Sequence, residues 1–259
     1  MKELLYKAAT ESGKIIKEYF ETKFEISSKD IISNLVTEVD KKSEGKIIEI
    51  IRTEFPDHNI LSEEIGALDT DSKFKWIIDP IDGTINYAHS IPLCCVSIGV
   101  EIDREVIMGI VYNPISGESF FAEKNKGAFL NDKKISVSKE DNLKKSLLVT
   151  GFPYDTSKNP HKPVEVFAEF VNSDIPVRRL GSAALDLCWT ACGRFDGFWE
   201  YNLNPWDVSA GFLILKEAGG KVSDFLGKEF SIYRKEILGT NGQIHNQMLE
   251  VIQGVGKKQ

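Results

Sequence analysis

The sequence has few cysteines, and their spacing argues against most of the roles that cysteine plays. Four occur among 259 residues: Cys94 and Cys95 are adjacent, and Cys188 and Cys192 are four residues apart. No Cys-x-x-Cys spacing occurs, so neither a zinc site nor a disulfide framework is indicated. Adjacent residues on a strand point to opposite faces, so Cys94 and Cys95 are badly placed to share a metal or a disulfide. We therefore expect buried, reduced thiols.

Long apolar runs and clustered positive charge are also missing. No stretch approaches the roughly 18 consecutive apolar residues of a membrane-spanning helix. The first segment, MKELLYKAATESGKIIKEYF, carries charges throughout and has no apolar core before a cleavage site, so we expect no signal peptide. A net charge of -7 argues against nucleic acid as the main ligand. We therefore expect a cytoplasmic protein.

The residues that are present predict a large mixed α and β fold. Apolar residues at helical spacing indicate two amphipathic helices, over residues 4–20 and 39–55. From Phe74 onward, short β-type runs separated by turn residues predict an antiparallel meander. After about residue 145, strand and helix patterns alternate, which is typical of an α/β arrangement.

The chain shows no sign of separate modules. Neither an internal repeat nor a low-complexity linker divides it. We therefore expect a single domain over residues 1–259, with an α+β half at about 1–145 and an α/β half at about 146–259. The two halves are expected to share one site.

The stretch WIIDPIDGTINY, residues 76–87, contains the strongest chemical pattern. Three apolar residues before Asp79 predict a buried strand that ends in a carboxylate, and Pro80 is expected to stop that strand. Ile81 would expose a backbone carbonyl, and Asp82 adds a second carboxylate. Such hard oxygen ligands favour Mg²⁺ or Mn²⁺ over zinc.

Gly83 and Thr84 follow these carboxylates directly. A glycine allows a tight turn, and a helix that begins there would aim free N–H groups outward, as in many phosphate sites. The alternative is a plain Asp-Gly surface turn with Asp79 as turn initiator.

Two further places offer carboxylates. Glu63 and Glu64, in HNILSEEIG, follow a short apolar run, with a solvated acidic loop as the alternative. Asp207 lies in NLNPWDVSAG, where Asn204 as N-cap, Pro205 at N1 and Asp207 at N3 would also make a good helix start without any other role.

Electrostatics connects the candidate carboxylates. If Glu63, Asp79, Asp82 and Asp207 converge, their mutual repulsion raises their pKa values unless cations compensate. Two or three Mg²⁺ ions would supply that compensation. They would also attract a substrate phosphate, which an acidic protein does not attract unaided.

These motifs resemble the inositol monophosphatase family of lithium-sensitive, Mg²⁺-dependent sugar phosphatases, over nearly the whole chain. WIIDPIDGTINY is similar to the first family signature and WDVSAGFLILKEAGG to the second, while RRLGSAALDLCWTACGRFDGFWE resembles the bacterial branch. The resemblance implies a layered α-β-α-β-α sandwich, of α+β or α/β class, and a homodimer.

The resemblance implies a ligand set for two to three Mg²⁺ ions, with Mn²⁺ as a substitute. Glu63, Asp79 and the Ile81 carbonyl would bind one ion, and Asp79, Asp82 and Asp207 a second. A third, weaker site would again use Glu63. Asp82 is also implied in catalysis, and Asp82 and Asp207 in contacts with substrate.

Further roles follow from the same resemblance. Thr84 and Glu63 would position and deprotonate the attacking water, and the N–H groups of Gly83 and Thr84 would hold the phosphate. Lys29 lies where the family carries a lysine near the site, with an exposed lysine beside a helix as the alternative.

The polyol side of the site is implied at four positions. Gly181, Ser182, Ala183 and Glu200 match residues that contact inositol hydroxyls. Ser182 is also suited to be a helix N-cap, and Glu200 to be an ordinary charge at a strand end, so purely structural duty remains open for both.

The function implied is hydrolysis of myo-inositol monophosphate by in-line attack of water, without a phosphoenzyme. A fructose-1,6-bisphosphatase or a dual-specificity sugar phosphatase is the alternative, since some prokaryotic members do both. A second alternative is an added role as an interaction partner in bacterial transcription complexes, because some relatives have one.

Overall fold

A computed structural model describes residues 1–20, 26–28, 35–153, 156 and 162–257. Within these residues the helices are α1 (Lys2–Tyr19), α2 (Glu38–Glu54), α3 (Thr84–Ala88), α4 (Pro163–Asn172), α5 (Ala183–Ala191), α6 (Pro205–Glu217) and α7 (His245–Lys257). The strands are β1 (Ile26–Ser28), β2 (Leu35–Thr37), β3 (Asn59–Ser62), β4 (Gly66–Leu68), β5 (Phe74–Asp82), β6 (Cys95–Ile102), β7 (Glu105–Asn113), β8 (Glu118–Glu123), β9 (Gly127–Leu130), β10 (Lys133–Lys134), β11 (Leu148–Thr150), β12 (Val177–Arg178), β13 (Gly197–Tyr201), β14 (Lys221–Ser223) and β15 (Glu236–Thr240).

The two amphipathic helices predicted at the start of the chain are confirmed as α1 and α2. Their apolar faces are buried, with Leu5 and Ile16 of α1 and Ile47 and Ile51 of α2 fully enclosed. The two helices pack together on one face of the larger sheet. None of the helices in the described ranges has the length and apolarity to cross a membrane.

The larger sheet has eight strands in the order β10-β9-β8-β7-β6-β5-β3-β4. From β5 to β10 each strand pairs antiparallel with the next, which confirms the predicted meander. β3 adds to β5 in parallel, so the carboxyl ends of these two strands lie at the same edge. The short strands β4 and β10 were not predicted.

The second sheet has five strands in the order β12-β11-β13-β15-β14. β11 runs parallel to both neighbours, and β15 runs antiparallel to both of its own. α5 and α6 lie between the two sheets, and α4 and α7 cover the outer face of the smaller one. The resulting α-β-α-β-α layering confirms the predicted fold class.

In the described part of the chain, three apolar cores lie between the layers, and the middle core, which packs on both faces of α5 and α6, contains residues from both halves of the chain. Cys94 packs in the core beneath α1 and α2, whereas Cys95 packs in the middle core. All four thiols are free, with Cys192 half-buried and the others buried, as predicted.

The prediction that Pro80 ends its strand was wrong. β5 continues through Pro80 to Asp82, and a β-bulge interrupts its pairing with β6 between Asp79 and Asp82. A proline lacks the N–H that a regular ladder needs, and a bulge is one of the places where a sheet tolerates that loss.

Polar contacts tie the two halves together at the surface. The Arg194 guanidinium donates to both carboxylate oxygens of Glu118, and the Trp189 indole N–H donates to the same carboxylate at 3.2 Å. On α6, the Glu217 carboxylate accepts from the backbone N–H groups of Asn125 and Gly127 in the β8–β9 turn. These bonds reinforce the shared apolar core.

Candidate functional site

One pocket collects most of the predicted site residues from both halves. The predicted residues in its lining are Glu63, Asp79, Ile81, Asp82, Gly83, Thr84, Gly181, Ala183, Glu200 and Asp207. Lys29 lies outside the described residues. Ser182 is not in the lining: its side chain is turned toward Asp82 and the first turn of α5.

The parallel pairing of β3 and β5 places Glu63 beside Asp79. Ser62 is in register with Ile78, and the N–H of Glu63 donates to the Ile78 carbonyl at 3.3 Å. Glu63 directly follows Ser62, and Asp79 directly follows Ile78, so the two carboxylates lie side by side on neighbouring strands. The sheet brings together two groups that are 16 positions apart in the chain.

The bulge in β5 places Asp82 on the same face as Asp79. Side chains three apart on a regular strand point to opposite faces. Here Asp79 pairs with Ser97 and Asp82 with Cys95, so β5 holds one extra residue, and Ile81 packs in the same core as Ile78. Bulges near active sites commonly re-aim side chains in this way.

Asp82 is fixed from the opposite half of the chain. Its Oδ2 accepts hydrogen bonds from the Ser182 hydroxyl at 2.6 Å and from the Ala184 N–H at 2.8 Å. Both donors belong to the start of α5, whose positive dipole end favours a carboxylate. The Ser182 side chain also accepts from the Leu185 N–H, so Ser182 is the predicted N-cap.

Asp207 caps the start of α6, which is the structural role that the sequence offered as an alternative. Its Oδ2 accepts from the Asn204 N–H at 2.6 Å, and the Asn204 side chain accepts from the N–H of Asp207, which forms a capping box. Asp207 nevertheless lines the pocket. A carboxylate has two oxygens, so capping α6 leaves acceptor capacity for a ligand.

Gly83 and Thr84 begin the short helix α3, as predicted. Gly83 has φ of +89°, and a Cβ there would lie 2.7 Å from the Leu93 carbonyl oxygen, so only glycine fits. The Thr84 hydroxyl donates to the Ile81 carbonyl at 2.9 Å. The first residues of α5 and α6 also reach this pocket, so three helix N-termini face it.

Burial and mutual repulsion disturb the site carboxyls. Burial raises the pKa of Asp79 well above its usual range, and the charges of Glu63, Asp82 and Asp207 raise it further. Burial also raises the pKa of Asp207, and that of Asp82 to about 6, although the hydrogen bonds from Ser182 and the α5 amides oppose the latter shift. The sequence-based expectation of converging, mutually repelling anions is thus met.

The donor set suits a divalent cation. It consists of carboxylates and one backbone carbonyl, the oxygen ligands that Mg²⁺ and Mn²⁺ prefer. Buried anions that raise each other's pKa would be relieved by such an ion. Across the described ranges, no three His, Cys, Asp or Glu side chains are already gathered closely enough to form a coordination sphere.

Glu200 is not an exposed charge at a strand end. It lies within β13 and is 9% exposed, and burial together with Asp207 and Asp82 raises its pKa to about 8, although Arg179 opposes the shift. With its proton on, a carboxyl can both donate and accept hydrogen bonds.

Sequence reasoning missed several residues of the pocket wall. Gly151 lies so close to the Glu200 carboxylate that a Cβ there would overlap it, and Arg179 lies beside Gly181. Asn86 donates to the Leu180 carbonyl at 2.8 Å and so links α3 to the segment before α5. The periodic spacing of apolar residues gave no signal for these residues, because their partners come from distant parts of the chain.

The layered fold and this pocket of buried carboxylates at helix N-termini define an α/β protein with an acidic site built from both halves of the chain. The inositol monophosphatase family model matches residues 1–257. Inositol-1-monophosphatase from Synechocystis sp. is 46% identical over 229 residues, which cover 88% of this chain and 80% of that protein. The chain belongs to the inositol monophosphatase family, which confirms the resemblance seen in its motifs.

Two further comparisons agree with this assignment. Nus factor SuhB from Haemophilus influenzae is 39% identical over 254 residues, covering 97% of this chain and 95% of that protein. The solved structure of inositol monophosphatase from Anabaena (Nostoc) sp. has a TM-score of 0.88 at 41% identity, covering 97% of this chain and 94% of that one.

Proposed function

We propose that this protein is a Mg²⁺-dependent phosphate monoester hydrolase that acts on myo-inositol monophosphate. The observation that carries the proposal is the convergence of Glu63, Asp79, Asp82 and Asp207 in one pocket beside Gly83. That pocket pairs ligands for cations with backbone N–H groups for an anion. Membership of the inositol monophosphatase family supports the same activity.

The cations would be held by Glu63, Asp79, the Ile81 carbonyl, Asp82 and Asp207. Bound there, two to three divalent ions would polarise the phosphoryl group, lower the pKa of a water and neutralise developing charge. The Ile81 carbonyl has a second lone pair beyond the one that accepts from Thr84, so it remains suited to be a ligand.

The residues of the chain supply orientation and proton transfer. Glu63 and the Thr84 hydroxyl would orient the attacking water, and Glu63 would accept its proton. The N–H groups of Gly83 and Thr84 would donate to the phosphate oxygens. As the water oxygen bonds to phosphorus, the ester P–O bond would break, and the leaving alkoxide would take a proton from solvent water to become the free polyol.

The polyol would be held on the side of the pocket that Gly181, Ala183 and Glu200 form. The buried Glu200 carboxyl can accept hydrogen bonds from polyol hydroxyls, and its raised pKa also lets it donate one when protonated. The backbone at the start of α5 adds fixed polar groups. We therefore favour a polyol monophosphate over a nucleotide or histidinol phosphate, with fructose 1,6-bisphosphate as the alternative substrate.

A substrate panel tests this proposal. We expect purified protein with Mg²⁺ to hydrolyse inositol 1-phosphate faster than fructose 1,6-bisphosphate, 3'-phosphoadenosine 5'-phosphate and histidinol phosphate, and millimolar Li⁺ to inhibit it. Released phosphate would be measured, with EDTA as the blank. Hydrolysis of the nucleotide alone would refute the proposal, whereas preference for the bisphosphate would support the alternative.

Gly151→Ala should weaken polyol recognition. The added methyl would overlap the Glu200 carboxylate and displace it. The backbone at Gly151 is not in the left-handed region, so alanine fits the local conformation and the effect should be confined to the pocket. Loss of one such hydrogen-bonding group corresponds to about a tenfold rise in KM for inositol 1-phosphate. Hydrolysis of p-nitrophenyl phosphate, which lacks the polyol, should change little.

Gly45→Ala is the matched control, because a Cβ at Gly45 in α2 would meet nothing within 4 Å. It should leave both KM values unchanged. An unchanged KM for inositol 1-phosphate in Gly151→Ala would argue against a role for Glu200 in substrate binding.

We also propose that the chain acts as one domain, as a cytoplasmic homodimer. The apolar core that both halves share supports the first point, and the free, mostly buried thiols fit a reducing compartment. The homodimer rests on the family resemblance. Light scattering of the purified protein would measure its mass directly.

A second role in transcription complexes is the alternative from another class. It is supported by the similarity to a protein named Nus factor SuhB. A pull-down with bacterial transcription factors, repeated with Asp82→Asn, would separate the two roles, because an interaction surface outside the pocket should survive loss of catalysis.

A further inference from the structure

The buried face of α2 contacts both chain segments that carry the candidate ligands. Ser43 and Glu44 are adjacent on this helix, with exposed fractions of 0% and 3%. The Ser43 hydroxyl donates to the Pro80 carbonyl at 3.0 Å, inside the bulge between Asp79 and Asp82. Glu44 reaches the other segment, the turn after β3.

Glu44 accepts several hydrogen bonds from that turn on a single oxygen. Its Oε1 accepts from the Ser62 hydroxyl, from the Glu64 N–H at 3.1 Å and from the Ile65 N–H at 3.3 Å. These donors lie on both sides of Glu63 along the chain. A buried carboxylate costs free energy unless hydrogen bonds satisfy it, and here the turn around Glu63 supplies them.

We propose that Glu44 is a positioning residue, which fixes the turn so that Glu63 is held ready to bind a divalent cation. Glu44 itself is absent from the described lining of the pocket, whereas Glu63 is part of it. The proposal rests on the proposed metal-dependent function. Mutation of groups that orient a metal ligand without touching the metal typically lowers metal affinity or activity by about 10- to 100-fold.

Glu44→Ala tests the proposal without any substrate. Titration with Mn²⁺, followed by the EPR signal of the free ion, should show binding weakened by about 10- to 100-fold. Glu44→Gln should bind within about threefold of wild type, because an amide oxygen can accept the same three bonds that Oε1 accepts. Hydrolysis by Glu44→Ala should recover as Mg²⁺ is raised.

Hydrogen exchange provides a structural measurement of the same effect. The N–H groups of Glu64 and Ile65 donate to Glu44, so their exchange should accelerate in Glu44→Ala and not in Glu44→Gln. Ile47→Val is the matched control: this fully buried residue lies one turn further along α2, and the change loosens packing without touching the turn. It should leave Mn²⁺ affinity unchanged.

The possible results are distinct. Wild-type Mn²⁺ affinity in Glu44→Ala, or an equal loss in Ile47→Val, overturns the proposal while leaving the proposed function intact. No Mn²⁺ binding by wild type overturns both. If Glu44→Ala does not fold, Ser62→Ala removes one of the donors to Glu44, and it should weaken Mn²⁺ binding several-fold, with no change counting against the proposal.

Discussion

Asp82→Asn should reduce turnover of inositol 1-phosphate by about 10²- to 10³-fold, which corresponds to roughly 3 to 4 kcal/mol of activation barrier. The reason is that Asp82 is both a proposed cation ligand and a member of the buried, mutually repelling carboxylates. An amide carries no charge and binds Mg²⁺ poorly. Steady-state kinetics at saturating Mg²⁺ would measure the loss.

The fold should survive this change. The Asn oxygen can accept the same bonds from Ser182 and Ala184 that Oδ2 accepts, so the melting temperature should stay within a few degrees. Asp224→Asn is a matched control, since Asp224 is a fully buried aspartate that pairs with Arg234 away from the pocket. It should lower stability and leave turnover intact. A rate above a tenth of wild type in Asp82→Asn would contradict the assigned role.

The metal-free protein should lose stability as pH rises from about 4 to about 8. Burial raises the pKa of Glu200 from 4.5 to about 8 and that of Asp82 from 3.8 to about 6. A carboxyl with a raised pKa in the folded state binds more protons there than in the unfolded state. Its stabilising contribution is therefore complete below the unfolded pKa and is lost as pH rises through the folded pKa.

A difference of one between the folded and unfolded pKa values of a group corresponds to about 1.4 kcal/mol, so these carboxyls together change the free energy of unfolding by several kcal/mol. Mg²⁺ should oppose the loss, because it neutralises the ionised carboxylates and binds only the folded state. Thermal unfolding in EDTA and in Mg²⁺ across this pH range would test the point. The gap between the two melting temperatures should widen with pH.

Glu200→Gln is the control for that experiment. It should flatten the metal-free profile between about pH 6 and 8, where Glu200 would otherwise ionise. A metal-free melting temperature that does not fall as pH rises, with a constant gap to the melting temperature in Mg²⁺, would show that the buried carboxyls do not have raised pKa values.

Much of the fold was predictable because its elements have regular apolar periods. The helical spacing indicated α1 and α2, and the alternation from Phe74 indicated the meander. The carboxylates that line the pocket could also be singled out, because each follows an apolar strand or begins a helix within a short pattern. The strands β4 and β10, of three and two residues, are too short to show any period.

What the sequence could not predict depends on contacts between distant residues. The bulge at Pro80 is set by pairing with β6, and the local pattern indicated only a strand end. Glu44 reads as an ordinary charge on α2, since its partners are 18 to 21 residues away. No local turn explains the glycine at position 151. A side chain is excluded there by the carboxylate of Glu200, which lies 49 positions further along the chain.

The double use of Asp82 bears on how the family's sequences are interpreted. Its carboxylate joins the first half of the chain to the start of α5 through hydrogen bonds that an asparagine oxygen could also accept, so the fold needs an acceptor here and the proposed reaction needs a charge. A descendant that abandoned hydrolysis would remain under selection to keep an acceptor here, and asparagine would satisfy that need. An aspartate retained here in a relative would therefore indicate that the charge is still used, whereas an asparagine would indicate that only the architecture has been kept.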